Sequence, residues 1–312
     1  MHLEIAPLQT SDIPAVIDLL ATSMPTEAIS EQKFARHILL DPNYRDDGAL
    51  LAKVGNCVAG FIYVAVRDQP LNDIDARRGY ITVIAVDPKF RRQKIATALL
   101  AAAEGFIQKL GRSDVLISPY APAYFTPGVD VASYPAAVTM FSKCGYAEVN
   151  RPIAMQTDLW NITEPEFAIG ARQTLARDGV HIEAYSPPLT QPILQFARTE
   201  FGPDWDVVYR EAMQQILRGQ ASPARIAVAH QHGRVLGISH HDGERFGPIG
   251  VGANARHRGI GQVLMYETLQ AQRFAGHRVA WFLWSDDRTA ERLYRGAGFV
   301  EIRRFVILGK TL

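Results

Sequence analysis

A chain of 312 residues, 47% hydrophobic and 21% charged, is long enough for two ordinary domain cores. Its 33 basic and 32 acidic residues nearly cancel to a formal +1, so bulk electrostatics exclude nucleic acid or an anionic membrane as the expected partner. No run approaches the roughly 18 to 20 apolar residues of a spanning helix, and the opening MHLEIAPLQT lacks a signal peptide's basic and apolar regions. A soluble, cytoplasmic protein with no nucleic-acid or membrane partner is expected. Cys57 and Cys144 are too few for a disulfide framework and sit in no zinc-type spacing, so they are expected as buried free thiols and no metal site is expected.

In chain order, a strand near His2 to Leu8 leads to a helix opened by Thr10-Ser11-Asp12 and to a second helix near Ser30 to Leu40. Ala49 to Val54, Cys57 to Val66 and Tyr80 to Val86 are rich in Val, Ile and aromatics and read as strands, with Gly55-Asn56 as a hairpin turn. A helix from about Arg92 to Leu110, a strand Asp114 to Ser118 and a Pro-rich loop Pro119 to Asp130 follow. A helix Tyr134 to Lys143 and a strand Ala147 to Gln156 end the first half. In the loop, Tyr120, Tyr124 and Phe125 beside Pro119, Pro122 and Pro127 suit either a pocket lining or packing.

Asn161 to Asp178 reads as a linker helix stopped by Gly179. The second half then repeats the plan. Strand His181 to Tyr185 precedes helices Leu189 to Phe201 and Trp205 to Leu217, and strands Arg225 to Ala229, Val235 to His240 and Arg245 to Val251. A helix Gly259 to Phe274, a strand Val279 to Trp284, a helix Arg288 to Arg295 and a strand Val300 to Leu308 complete it. The repetition extends to residues: Arg91, Ile95, Ala96 and Leu99 align with Arg256, Ile260, Gly261 and Leu264 at an offset of 165. Ala137, Met140, Phe141, Gly145 and Tyr146 align with Ala290, Leu293, Tyr294, Gly298 and Phe299 at an offset of 153, so the first half carries about twelve extra residues in its Pro-rich loop. The expected domains are 1-159 and 180-312, joined by a linker helix at 160-179.

The stretch Arg256-His257-Arg258-Gly259-Ile260-Gly261 lies between a strand and a helix. A helix N-terminus there offers unpaired N–H groups and a partial positive charge, and glycines admit a pyrophosphate to the backbone. Position 264 is Leu, so the third glycine of a Rossmann site is missing, and no Gly-Lys-Ser/Thr of a P-loop is present. Further on stands Asp287-x-x-Ala290-x-x-Leu293-Tyr294-x-x-x-Gly298-Phe299.

Together these two segments resemble the GNAT N-acetyltransferase superfamily, in which an R/Q-x-x-G-x-G/A signature binds the acetyl-CoA pyrophosphate and a later helix supplies a tyrosine. The resemblance spans both halves and implies an α/β (α+β mixed) fold: two tandem GNAT-like domains, each a mostly antiparallel, splayed central sheet flanked by helices. It implies acetyl-CoA as cosubstrate and a small-molecule or peptide amine as acceptor. It also implies direct attack of the amine on the thioester, with Tyr294 as general acid to the leaving thiolate. Ile249, Gly250 and Val251 are then the strand end that stabilises the oxyanion, Arg256 to Gly261 hold the pyrophosphate, and Asp287 replaces the family's asparagine beside the cofactor.

In the first half Lys94 stands where the pattern has its first glycine, Ala96 is an allowed second residue and Phe141 replaces the tyrosine. The first half is therefore expected to be catalytically degenerate and the second half to carry the chemistry. The alternative is a non-catalytic acyl-CoA-binding or regulatory tandem module. For the general base, His240, His241, Asp242, Glu244, Glu200 and Asp204 are candidates; strand alternation lets only one of the two histidines face a cleft, and exposed turn-end histidines are the bland reading.

Overall fold

The computed structural model describes residues 2–121 and 123–312, without the side chains of Ala290 and Glu291. Pro122 of the Pro-rich loop lies outside the described residues. Contacts divide the chain into two units, Met1–Pro152 with Arg304–Leu312, and Ile153–Arg303.

Unit 1 follows the expected order: β1 Leu3–Pro7, α1 Ile13–Ser23, α2 Glu31–Phe34 continued by a wider turn over Ala35–Leu39, β2 Ala49–Val54, β3 Cys57–Ala65 and β4 Arg78–Val86. Next come α3 Ile95–Lys109, β5 Asp114–Ile117, a two-residue β6 Val129–Asp130, α4 Pro135–Lys143 and β7 Ala147–Asn150. Strands pair in the order β1-β2-β3-β4-β5, antiparallel except for the parallel pair β4 and β5. Helix α3 buries Ile95, Leu99, Leu100, Ala103, Phe106 and Ile107, the spacing of one helical face, against one side of the sheet. Gly60 permits that approach, since a Cβ there would lie 3.0 Å from Leu99 Cδ1. Helix α1 packs Val16, Leu19 and Leu20 with Phe34 and Ile38 on the opposite side.

Unit 2 starts with β8 Ile153–Asp158 and α5 Glu166–Arg177. It continues through β9 His181–Ala184, α6 Thr190–Glu200, α7 Pro203–Leu217, β10 Ile226–Gln231, β11 Arg234–Asp242 and β12 Arg245–Val251. Helix α8 Ile260–Phe274, β13 Val279–Ser285 and a short α9 Asp287–Thr289 lead into β14 Val300–Thr311. Its strands run in the order β8-β13-β12-β11-β10-β9, and only β12 and β13 are parallel. Gly237 repeats the device of Gly60: its Cβ would lie 2.9 Å from Leu264 Cδ1.

The expected boundaries are corrected by strand pairing. Pro152 has no N–H to give a ladder, so the strand expected over Ala147 to Gln156 is two, β7 in unit 1 and β8 in unit 2, where β8 pairs with β13. From Arg304 on, β14 belongs to unit 1, where it pairs with β5, β6 and β7 and buries Phe305, Val306 and Leu308. The linker helix belongs to unit 2: Ala171 and Leu175 of α5 join a core with Val263 and Leu264 of α8, and Arg172 pairs with Glu267 at 2.9 Å. Cutting by sequence alone would leave β5 an open edge, which a sheet avoids by pairing. Among the thiols, Cys57 is exposed and Cys144 half-buried, because Cys57 stands beside the hairpin turn; the expectation of two buried thiols is corrected.

Both histidines of β11 are buried, at 4% exposure for His240 and 7% for His241, against the expectation that one or both face outward. The register shift between Ser239 and His241 breaks the alternation that expectation used. His240 Nε2 accepts from Arg225 Nε at 3.1 Å, and its Nδ1 lies 3.1 Å from the Gly247 carbonyl, to which it donates as the neutral tautomer. Burial first, then the Arg225 charge, push its pKa down to about 3; burial pushes His241 down to about 4.

These shifts give a sign to acid stability. Both groups bind protons in the unfolded chain below about 6.5 but stay neutral in the fold. The unfolded state thus binds more protons, and stability is present above that value and lost as pH falls toward 4, by up to roughly 1.4 kcal/mol per pH unit for each histidine. His240→Gln should flatten the fall of unfolding free energy between pH 6.5 and pH 4, measured by denaturant titration, whatever it does to stability at pH 7. A chain ending at Arg303 should lose amide-exchange protection across β5 and β7, while β10 and β11 keep theirs.

Candidate functional site

In unit 1, β4 and β5 run side by side from Arg78 to Ile81 and from Asp114 to Ile117. Ser118 N donates to the Ile81 carbonyl at 2.8 Å as a last link, and Ser118 then turns away with φ at 78°. Thr82 is the extra residue of a bulge, since Tyr63 faces Val83 while Val64 faces Ile81. The bulge changes parity: Tyr80, Val83 and Ala85 pack on the α1 side, Ile81, Ile84 and Val86 on the α3 side. Between the parted strands lies a cleft of about 510 Å³, walled by β4, the start of α3, Ser118, Gly128 to Asp130 and the Tyr134 to Phe141 face of α4.

The loop into α3 is built for an anion. Arg91 Nε donates back to the Val86 carbonyl at 3.3 Å, and Arg92 and Lys94 take left-handed φ values of 66° and 63°. No side chain caps α3, so its first N–H groups are left to a ligand or water, beside the exposed Arg91, Arg92 and Lys94. Each left-handed non-glycine residue costs about 1 kcal/mol, which the loop sustains at two positions. The donors fit a pyrophosphate, and the apolar walls of Ile81, Ile84 and Ile117 fit a pantetheine arm. Lys94 thus adopts the conformation that Gly259 holds in the second half.

Across the cleft mouth, the Tyr134 hydroxyl lies 2.5 Å from Thr26 Oγ1, which donates to Glu27 Oε1 at 3.1 Å. Glu27 is only 4% exposed. Asp130, also buried, accepts from Ala132 N, Ser133 N and Ser133 Oγ and so shapes the turn before α4. The expected aromatic loop packs inward: Tyr120 and Phe125 are core residues, and Tyr120 donates to Asp41 at 2.8 Å. Thr26 and Glu27 belong to no motif, whereas Tyr134 stands at the position of Asp287, the first residue of the second repeated segment, two helical turns before Phe141 on the same face.

The second half keeps the loop but packs what surrounds it. Arg256 Nε donates to the Val251 carbonyl at 3.2 Å, as Arg91 does in unit 1, and His257 and Gly259 hold φ at 63° and 82°. Arg258 pairs with Asp178 at 3.4 Å. A Cβ on Gly259 would lie 2.7 Å from Ala171 Cβ of α5, so this glycine serves helix packing, while Gly261 has room for the alanine that unit 1 carries. Ile260 is a core residue.

Along β12, Ile249 and Val251 pack into the cores, and a Cβ on Gly250 would meet the Phe201 ring at 2.2 Å. Phe201 stacks on Trp205 with centroids 4.2 Å apart, filling the space next to Gly250. Asp287 is exposed at the start of α9. Tyr294 is 7% exposed among Phe246, Phe282 and Phe299, and burial pushes its pKa well up, away from that of a thiol it would protonate. The expected acid is a core side chain here. A cleft of about 580 Å³ in unit 2 includes Arg258 of the expected cofactor residues and Glu200 of the candidate bases. Of the candidate bases, Glu200 accepts from Ala253 N at 2.9 Å and caps the turn ahead of the loop.

Comparison with known proteins finds the acetyltransferase (GNAT) family at residues 13–118, within unit 1. The catalytic subunit of the N-terminal acetyltransferase B complex of Arabidopsis thaliana is 29% identical over 140 residues, 45% of this chain and 67% of that one. Among solved structures, a GCN5-related glucosamine N-acetyltransferase region of a fungal multi-domain β-N-acetylglucosaminidase superposes with a TM-score of 0.83 at 16% identity. It covers 99% of this chain, which spans 38% of that longer protein. A GCN5-related N-acetyltransferase from Sphaerobacter thermophilus gives 0.73 at 20% identity, covering 99% and 95% of the two chains. A tandem GNAT protein of the clavulanic acid pathway gives 0.64 at 17%, covering 99% and 98%. Residues 13–118 of unit 1 thus match the GNAT family, and the whole chain, a mixed fold of mostly antiparallel sheet flanked by helices with a loop built alike in both halves, shares the fold of a tandem GNAT protein.

Proposed function

We propose that the chain is an acetyl-CoA-dependent N-acetyltransferase that holds its cosubstrate in the cleft of unit 1. The observation that carries this reading is the parting of β4 from β5 at the Thr82 bulge, opening a cleft that ends on the uncapped, cationic start of α3. The α3 N–H groups, with Arg91, Arg92 and Lys94, take the pyrophosphate; β4 beyond the bulge presents backbone N–H groups to the thioester oxygen. The acceptor is an amine, and two classes are suggested by relatives: the α-amine of a peptide and the amine of an amino sugar. Chemistry in the second half is the less favoured placement, given Tyr294 in its aromatic core.

A second reading, a non-catalytic acyl-CoA-binding or regulatory module, is favoured by Phe141, which puts no proton donor at the family's tyrosine position.

Calorimetry with acetyl-CoA separates the placements. The expected result is one equivalent bound, weakened at least tenfold by Ala96→Asp and unchanged by Gly261→Asp, both variants first shown to be folded. The reverse pattern would move the cosubstrate to unit 2, and no binding to the intact chain would refute the acetyltransferase reading. Thiol release from acetyl-CoA with a peptide amine or glucosamine then separates enzyme from sensor.

A further inference from the structure

Tyr134, which lines the unit 1 cleft at the position matching Asp287, starts a hydrogen-bonded row through Thr26 to Glu27, two residues that no motif contains. The direction of the row is fixed by counting protons. A threonine hydroxyl has one proton, and Thr26 gives it to Glu27 Oε1 at 3.1 Å, because a carboxylate only accepts. Thr26 Oγ1 therefore receives the Tyr134 hydroxyl proton at 2.5 Å. Every donor points the same way, from the cleft wall toward a buried carboxylate.

The scaffold holds each member still. Tyr134 immediately precedes α4, whose first residue is Pro135, and its ring lines the cleft. Thr26 and Glu27 occupy the 3-10 turn Pro25–Glu27 between α1 and α2, and Lys33 Nζ donates to the Glu27 carbonyl, pinning that turn to α2. Phe141, on the same side of α4, leaves Tyr134 as the tyrosine of that helix segment that lines the cleft.

Resting on the acetyltransferase reading, we infer that this row is the general-base pathway of unit 1. The acceptor ammonium first gives one proton to Tyr134 Oη as Tyr134's own proton moves to Thr26 Oγ1 and that of Thr26 to Glu27 Oε1. The neutral nitrogen then forms its bond to the thioester carbonyl carbon, the C–S bond breaks with its electron pair leaving on sulfur, and the second proton lost from nitrogen passes through water to the thiolate. Glu27 ends protonated and releases its proton to solvent after the amide departs. Tyr134 touches the acceptor; Thr26 and Glu27 act through it as positioning residues.

The test uses the full chain with acetyl-CoA and three probes: a peptide with a free α-amine, glucosamine, and hydroxylamine, which is already neutral at pH 7. For the first two, Thr26→Val, Tyr134→Phe and Glu27→Gln should each lower kcat roughly 100-fold, with KM for acetyl-CoA unchanged in Thr26→Val and Glu27→Gln, and Thr26→Ser should restore it. Hydroxylamine turnover should fall far less, since it brings no ammonium proton to remove. Full kcat in Thr26→Val, or an equal loss with hydroxylamine, overturns the pathway while the acetyltransferase reading stands. A wild-type chain that binds acetyl-CoA but releases no thiol with any probe overturns that reading, and the pathway with it.

Discussion

The constraint on which unit 1 turns is that β4 and β5 cannot stay paired beyond Ile81. A bulge at Thr82 adds one residue against β3, and Ser118 leaves the ladder in a left-handed conformation. Parallel strands that part leave backbone groups without a sheet partner, and such groups are costly unless something polar meets them. The same step that opens the cleft therefore also furnishes its donors. Strand β4 then delivers the chain into a loop that needs two left-handed residues before α3 can start, and Arg91 bonding back to Val86 holds that loop in shape.

The two halves keep this loop while differing in everything around it. Arg91 and Arg256 make the same backward bond, and Arg92 with Lys94 repeat the conformations of His257 with Gly259. Conformation, not residue type, is what the duplication retained. In unit 2, glycine at position 259 is required by Ala171 of α5 as well as by φ. Lys94 is exposed at the matching position, so a side chain is tolerated there and its charge adds to an anion site. Conversely, Phe201 against Gly250 and the aromatic shell of Tyr294 fill unit 2 where unit 1 stays open.

Much of this was legible in the sequence. Alternation and turn residues located β2 and β12 to the residue, and the repeated spacings revealed two units of one fold, because those signals are local. Non-local pairing was not legible: nothing in Arg304 to Leu312 says that these residues complete unit 1 and not the half that precedes them. The cleft of unit 1 was not legible for a related reason. Motif matching weighs residue identity, so Gly259 and Tyr294 outranked Lys94 and Phe141, whereas the structure turns on φ and on burial. A hydroxyl row drawn from positions 26, 27 and 134 has no sequence period at all, because it depends on two elements meeting across a cleft.

The wall of that cleft joins the most and the least local parts of the chain. The extra residues of the first half run through Thr126 and Gly128 to Asp130, and Val129 and Asp130 pair with Val306 and Phe305 of the last strand. Gly128 lies so close to that strand that a Cβ would stand 2.5 Å from the Val306 carbonyl. The insertion is thereby pinned by backbone, and Asp130 in turn fixes the turn that presents Tyr134. A duplication supplied two similar loops; an insertion held down by the C-terminal strand gave one of them a far wall, and under the proposed acetyltransferase reading that wall is what would orient an acceptor.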